Sequence, residues 1–250
     1  MLVLITGASS GIGKSTAQLF AKHGHSLILT GRREERLKAL KSELENQYKV
    51  QVDVLCFDIR NAEEVEKALL SLPESLQNID LLVNNAGLAA GLSSFQDGQL
   101  SHWERMIDTN IKGLLYISKI VANWMIKQSK GHIINIGSIA GKEVYANGNV
   151  YCATKHAVDA LNKAMRIDLL PHHIKVSAVH PGMVETEFSI VRFDGDTDRA
   201  KKVYQGMQPL LAEDIAETIY WVAMRPAHVN INEVTIMPSV QASATNVIRQ

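Results

Sequence analysis

A tyrosine and a lysine four residues apart, Tyr151 and Lys155, are the side chains of this sequence best suited to moving a proton, and Ser138 lies upstream of them. Residues i and i+4 share one face of a helix. A free phenol has a pKa of about 10, too high to trade protons easily near neutral pH. A fixed ammonium beside it favours the phenolate and lowers that value. The pair is therefore a candidate general acid/base. Tyr-x-x-x-Lys also occurs on ordinary solvated helices, so its meaning depends on what the rest of the chain places beside it.

The elements needed to position that pair can be read in order. Residues 2–5 form a short unbroken apolar run, as expected of a strand buried on both faces. A glycine-rich turn follows, Gly7-Ala8-Ser9-Ser10-Gly11-Ile12-Gly13, and then helical apolar spacing over 15–23. Strand, glycine turn and helix make a phosphate cradle: small residues admit the anion and helix N-terminal amides point at it. A second strand at 26–30 ends in Arg32 and Arg33, where a dinucleotide site that reads the ribose 2′-hydroxyl would carry an acid. Two guanidiniums there suit a 2′-phosphate, hence NADP rather than NAD; the plainer alternative is that they open the solvated helix 34–45.

A third strand, 50–57, leads to Asp58 and Ile59, with Asp58 placed to accept a hydrogen bond from an adenine amine. Asn61 caps a helix over 62–72, and strand 80–83 runs into Asn85-Ala86-Gly87, suited to a tight turn. A capping-box pattern at 101–104 starts a helix reaching about 127, bent or straight, with Asn110 among its apolar positions as a satisfied core amide or part of a site. Strand 131–138 places Ser138 at its carboxyl end, helix 149–170 carries Tyr151 and Lys155, and strand 175–179 precedes His180-Pro181-Gly182. Residues 183–206 show no clear period and read as an irregular lid; helix 213–224, strand 233–237 and a mixed tail, 238–250, complete the chain. Strand and helix alternate throughout without a linker. The fold class is therefore α/β, a doubly wound parallel sheet of about seven strands in one domain over 1–250. Gly7, Arg32, Asp58, Asn85, Ser138 and Pro181 all fall at strand carboxyl ends, where ligands of such sheets lie.

Composition limits the alternatives. The 250 residues are 46% hydrophobic and 21% charged, with zero formal net charge, so neither nucleic acid nor an anionic membrane is indicated as a partner. No apolar run approaches the roughly 18 residues of a membrane span, and residues 1–5 lack the basic flank of a signal peptide. Cys56 and Cys152 have no paired or metal-type spacing and read as small core residues in a reducing, cytoplasmic compartment. No metal site is expected.

Jointly, the Thr6-Gly7-x-x-x-Gly11-x-Gly13 turn, Asn84 to Gly87, Asn110, Ser138, Tyr151-x-x-x-Lys155 and Pro181-Gly182 resemble the short-chain dehydrogenase/reductase family in order and spacing. Within it, 131–138, 149–155, 186–189, 191–193, 226–232 and 249–250 look like the NADP-dependent 3-hydroxy acid dehydrogenases that act on serine and allo-threonine. His180, where that subgroup tends to carry an acid, and a shortened 183–185 segment depart from its pattern. The resemblance implies a Rossmann fold and an oxidoreductase. Tyr151 would be the acid/base, and Lys155 would lower its pKa and hold the nicotinamide ribose. Ser138 would bind the substrate oxygen, Asn110 would hold a water relay, and Thr186 would bind the nicotinamide carboxamide. Gly7, Ser9, Ser10, Gly11, Ile12, Gly13, Arg32, Arg33, Asp58, Ile59, Asn85, Ala86, Gly87, Pro181, Gly182 and Val184 would complete an NADP(H) site. Arg192 is the candidate cation for a substrate carboxylate, with Arg199, Lys201 and Lys202 as competitors. A homotetramer is also implied. The alternatives are a carbonyl reductase of acyl or apolar ketones and a non-catalytic NADP-binding regulator.

Overall fold

The short apolar runs become strands whose side chains are buried alternately on opposite faces. Val3 and Ile5 pack with Leu27, Leu29 and Val83 in one core, while Leu4, Ile28 and Leu82 enter a second core on the other side of the sheet. The structure, a computed structural model, describes residues 1–250. Its strands are β1 (Leu2–Thr6), β2 (Ser26–Gly31), β3 (Val52–Cys56), β4 (Leu81–Asn84), β5 (Gly131–Ile136), β6 (Ile174–Pro181) and β7 (Glu233–Ile236). They form one parallel sheet in the order β3-β2-β1-β4-β5-β6-β7. The order reverses between β1 and β4, and a crevice opens there at the strand carboxyl ends.

Helices α1 (Gly11–Lys22), α2 (Glu34–Tyr48), α3 (Ala62–Leu70), α4 (Leu100–Ile107), α5 (Leu114–Gln128), α6 (Asn149–Asp168), α7 (Phe188–Arg192), α8 (Thr197–Lys202) and α9 (Ala212–Ala223) connect the strands or close the crevice. Phe20 of α1, Leu37 and Leu44 of α2 and Ile215 and Ile219 of α9 fill the first core; Val65, Leu69, Ile117 and Val121 of α3 and α5 fill the second. Each such fully buried side chain contributes about 1.5–3 kcal/mol. A buried amide network ties the layers together. Asn84 Nδ2 donates to Ser118 Oγ (2.8 Å) and Asn135 Oδ1 (2.9 Å), and Asn135 Nδ2 donates to Asn162 Oδ1 (3.0 Å). No helix is long and apolar enough to cross a membrane.

Several local expectations are corrected. The first helix starts at Gly11, inside the glycine turn, not after it. The capping box at 101–104 does not form: α4 begins two residues earlier, with Gln99 instead of Ser101 as N-cap and no side-chain cap. The long helix around Asn110 is interrupted by a π-helical turn, Asp108–Gly113. β5 ends at Ile136, so Ser138 lies beyond the strand as N-cap of the 3₁₀ turn Ile139–Gly141, its Oγ accepting from Ala140 N–H at 3.1 Å. The segment 183–206, expected to be irregular, holds the two short helices α7 and α8. Cys152 is buried as expected but Cys56 is exposed, because β3 is the edge strand and its end faces solvent. The tail folds back on its own lid: Gln250 N–H donates to Gly206 O (2.8 Å), and Arg249 reaches the carbonyls of Val203 and Gln205.

Candidate active site

The glycine turn takes the shape that a phosphate cradle requires. Gly7 and Gly11 have φ of +66° and +50°, the left-handed region that side chains disfavour. Ser10, the N-cap of α1, makes no side-chain cap bond, so the first-turn amides keep the positive end of the helix dipole open to the crevice. Thr6 and Asn85 fasten this turn to the end of β4. Thr6 Oγ1 accepts from Asn85 N–H (3.0 Å) and Ala86 N–H (2.9 Å), and Asn85 Nδ2 donates to Thr6 O (2.8 Å) and Gly7 O (3.2 Å). The donors present thus fit a dinucleotide. Gly13 lies behind the cradle instead of lining it; a Cβ there would meet Asn85 Nδ2 and Gly7 O, each at 2.5 Å.

One cavity of about 490 Å³ runs from this cradle across the switch point. One of its walls holds Arg32, Arg33, Asp58 and Ile59; its middle holds Asn85, Ala86 and Gly87; its far end holds Ser138, Tyr151, Lys155 and Arg192 under Pro181, Gly182, Val184 and Thr186. Arg32 is exposed and touches only the far edge of Asp58, 3.9 Å away. Arg33 is held firmly: Nε donates to Ser9 Oγ (3.0 Å), Nη2 to Ser10 Oγ (2.6 Å) and Nη1 to Glu187 Oε2 (2.8 Å). The Asp58 carboxylate is engaged by the Arg60 fork, at 2.5–3.0 Å. Burial opposes its ionisation, but that fork still holds its carboxyl below the usual range.

At the far end, burial dominates both members of the candidate acid/base pair. Tyr151 is 8% exposed, and desolvation pushes its phenol above its ordinary value; Ser138 and Arg192 act against that shift. Lys155 is 6% exposed, and desolvation brings it down to about 8. Its Nζ donates to Ile136 O at 2.9 Å. The expected lowering of Tyr151 by Lys155 is therefore not what this arrangement displays: Arg192 is the cation acting on the phenol, and burial outweighs it. Asn110 is a satisfied core amide, one of its two expected roles. Its Oδ1 accepts from Leu88 N–H (2.8 Å), and its Nδ2 donates to Leu88 O (2.8 Å) and Thr154 Oγ1 (3.0 Å). Its side chain clamps the β4 loop to α6, with both Nδ2 protons and one lone pair of Oδ1 engaged.

Arg192 sits at the end of α7 with its guanidinium carbon 5.7 Å from the ring centres of both Tyr145 and Tyr151, and its Nε donates to Gly91 O (3.1 Å). Its competitors lie elsewhere: Arg199 stacks on Phe193 at 4.4 Å, and Lys201 and Lys202 end α8 on the surface. Thr186 packs against Gly11, 3.3 Å from the position of a Cβ there, so the root of the lid rests on the cradle.

Sequence reasoning missed Tyr145, Glu187 and two glycines. A Cβ at Gly141 would meet the Lys155 carbonyl at 2.6 Å, so this glycine lets the Ser138 turn lie against α6. A Cβ at Gly137 would collide with His180 Nδ1. His180 is fully buried there with neither ring nitrogen hydrogen-bonded, Nε2 standing 3.6 Å from Asp159 Oδ1 and 3.9 Å from Glu233 Oε2. Burial, aided by Lys142, drives its pKa down to about 4. Lys142 Nζ bridges the two carboxylates at 2.7 Å each, supplying the positive charge of that cluster and tying the Ser138 turn to α6 and β7.

The short chain dehydrogenase family pattern matches residues 1–196. The NADP-dependent 3-hydroxy acid dehydrogenase YdfG of Salmonella typhi is 49% identical over 246 residues, covering 98% of this chain and 97% of that protein. The serine 3-dehydrogenase of Agrobacterium fabrum is 44% identical over 242 residues, covering 97% and 95%. The closed form of a serine dehydrogenase complexed with NADP+ superposes with a TM-score of 0.93 at 47% identity, covering all of both chains. With its glycine cradle, its switch-point cavity and its buried Ser, Tyr and Lys at the far end, this chain belongs to the short chain dehydrogenase family.

Proposed function

We propose that the protein is a cytoplasmic, NADP-dependent dehydrogenase that moves a hydride between NADP(H) and C3 of small 3-hydroxy acids, of the serine, allo-threonine or 3-hydroxypropionate type. One observation carries the substrate class: Arg192, a guanidinium without an acidic partner, stands over the Tyr151 ring at 5.7 Å. A cation beside the acid/base suits a substrate that carries its own carboxylate.

Gly7, Ser9, Ser10, Gly11 and Ile12 would hold the cofactor phosphates, Arg32 and Arg33 the 2′-phosphate, Asp58 and Ile59 the adenine side, and Lys155 and Thr186 the nicotinamide end. Bound NADP(H) supplies the hydride donor or acceptor. The protein's own work is proton handling and orientation. Tyr151 Oη takes the hydroxyl proton during oxidation and returns it during reduction. Ser138 Oγ hydrogen-bonds the substrate oxygen and steadies charge that develops there. Burial keeps the Tyr151 phenol protonated when no compensating charge is near, which suits a general acid; its use as a base depends on Ser138 and Arg192, which act against that burial. Oxidation leaves a ketone or aldehyde β to the carboxylate, a product able to lose carbon dioxide unaided.

The same reading includes a homotetramer, for which Leu100, Ile107 and Leu115 along α4 and α5 offer exposed apolar surface. A second reading, reduction of apolar ketones, draws support from Phe188, packed edge-on to Tyr151 at 5.7 Å. Purified protein with NADP+ or NADPH, the 3-hydroxy acids above, uncharged secondary alcohols and apolar ketones separates the readings by NADPH absorbance. Turnover of the hydroxy acids is expected. Turnover of apolar ketones alone favours the second reading, and none with any substrate favours a regulator.

A further inference from the structure

Glu187 lies at the junction between the two ends of the cleft. It precedes α7, the lid helix that carries Phe188 and Arg192 over Tyr151. Its carboxylate is taken by two arginines of the adenosine side, 154 and 151 residues away in sequence: Arg33 Nη1 at 2.8 Å and Arg36 Nη1 at 2.7 Å. Arg33 is also the residue that reaches Ser9 and Ser10 of the cradle. Arg36 lies outside the cavity and makes its one ion pair with Glu187. An anion of this protein therefore sits on the guanidinium that the proposed function assigns to the 2′-phosphate.

We infer that Glu187 is a positioning residue that latches the substrate lid to the 2′-phosphate-reading arginines, and that it offsets part of their charge toward NADP. The inference rests on the NADP reading of Arg32 and Arg33. The charges are consistent with it. Arg32, Arg33 and Arg36 carry three positive charges against one from Glu187, since Asp58 is satisfied by Arg60. A phosphate dianion would complete the balance, whereas NAD would leave it open. The pairs are half-exposed, with side-chain exposures of 39–51%, so each is weak and screened. A weak pair can break and re-form, as the latch on a moving lid must. Glu187 is held below the usual carboxylate range chiefly by its hydrogen bond from Arg33, so the latch stays charged through neutral pH.

The test uses Glu187→Gln, which keeps the shape and removes the charge, and Arg36→Ala, which lies outside the cavity. Titration calorimetry of Glu187→Gln is expected to show NADP+ binding about two- to fivefold tighter, with NAD+ unchanged, because a like charge beside the phosphate is gone. In ligand-free protein, both variants are expected to speed amide hydrogen exchange across Phe188–Arg192. Both should also raise KM for the hydroxy acid about two- to fivefold while kcat stays near wild type, the scale of one exposed ion pair. A general loss of structure would weaken both cofactors alike. Unchanged exchange in α7, or NADP+ and NAD+ shifting together in Glu187→Gln, overturns the latch. Wild-type protein that binds NAD+ as tightly as NADP+ sinks the cofactor reading, while the exchange comparison still decides the latch.

Discussion

Tyr151 and Lys155 are both almost withdrawn from water, and burial favours the neutral form of each. Tyr151→Phe removes the one oxygen assigned to proton transfer and little else, so turnover should fall about 10²–10⁴-fold with NADPH affinity nearly unchanged; single-turnover kinetics and a binding titration check it, and retained turnover contradicts the assignment. Lys155 has a signature in stability as well. Its folded pKa of about 8 lies below the value of about 10.4 expected in the unfolded chain. Below pH 8 both states hold the proton, and the cost of burying the charge is fully present. Between about 8 and 10.4 the unfolded chain binds more protons, so this contribution to stability rises with pH. The stability difference between wild type and Lys155→Met, from denaturant melts across that window, should therefore move in favour of wild type as pH rises. Parallel curves would contradict the buried ammonium.

Elements decide how these side chains meet. The π turn Asp108–Gly113 presents Asn110 inward, and three hydrogen bonds from that amide fix Leu88 and Thr154. Asn110→Ala leaves the buried Leu88 N–H and C=O without these partners, which should lower stability by about 1–3 kcal/mol per group; chemical denaturation measures it, and an unchanged midpoint would refute the clamp. The capping box failed as a guide because the helix already starts at Leu100 with Gln99 as N-cap, which leaves Ser101 inside the first turn. The glycine cradle was legible because its parts are adjacent in sequence, and strand-turn-helix is dictated by local backbone needs. Tyr145 and Glu187 were not legible: each matters through Arg192 or Arg33, partners far off in sequence that only the folded lid brings close.

Across the whole molecule, a single crevice links cofactor and substrate chemistry. The apolar runs announced a sheet covered on both faces, and the strand-end residues marked where the crevice would open, so the α/β fold and the cavity's outline are legible in the sequence. The lid could not, because its two short helices depend on contacts with the cradle, the tail and α2 more than on periodicity. The lid sets Arg192 beside Tyr151, and on the proposed function this placement selects the substrate class. The most direct test is the KM of wild type and Arg192→Ala for serine and for an uncharged secondary alcohol, each with NADP+. Losing a charged hydrogen bond of about 1.5–3 kcal/mol should raise KM for serine about 10–100-fold, with little change for the alcohol. Equal changes for the two substrates would contradict the carboxylate-binding account.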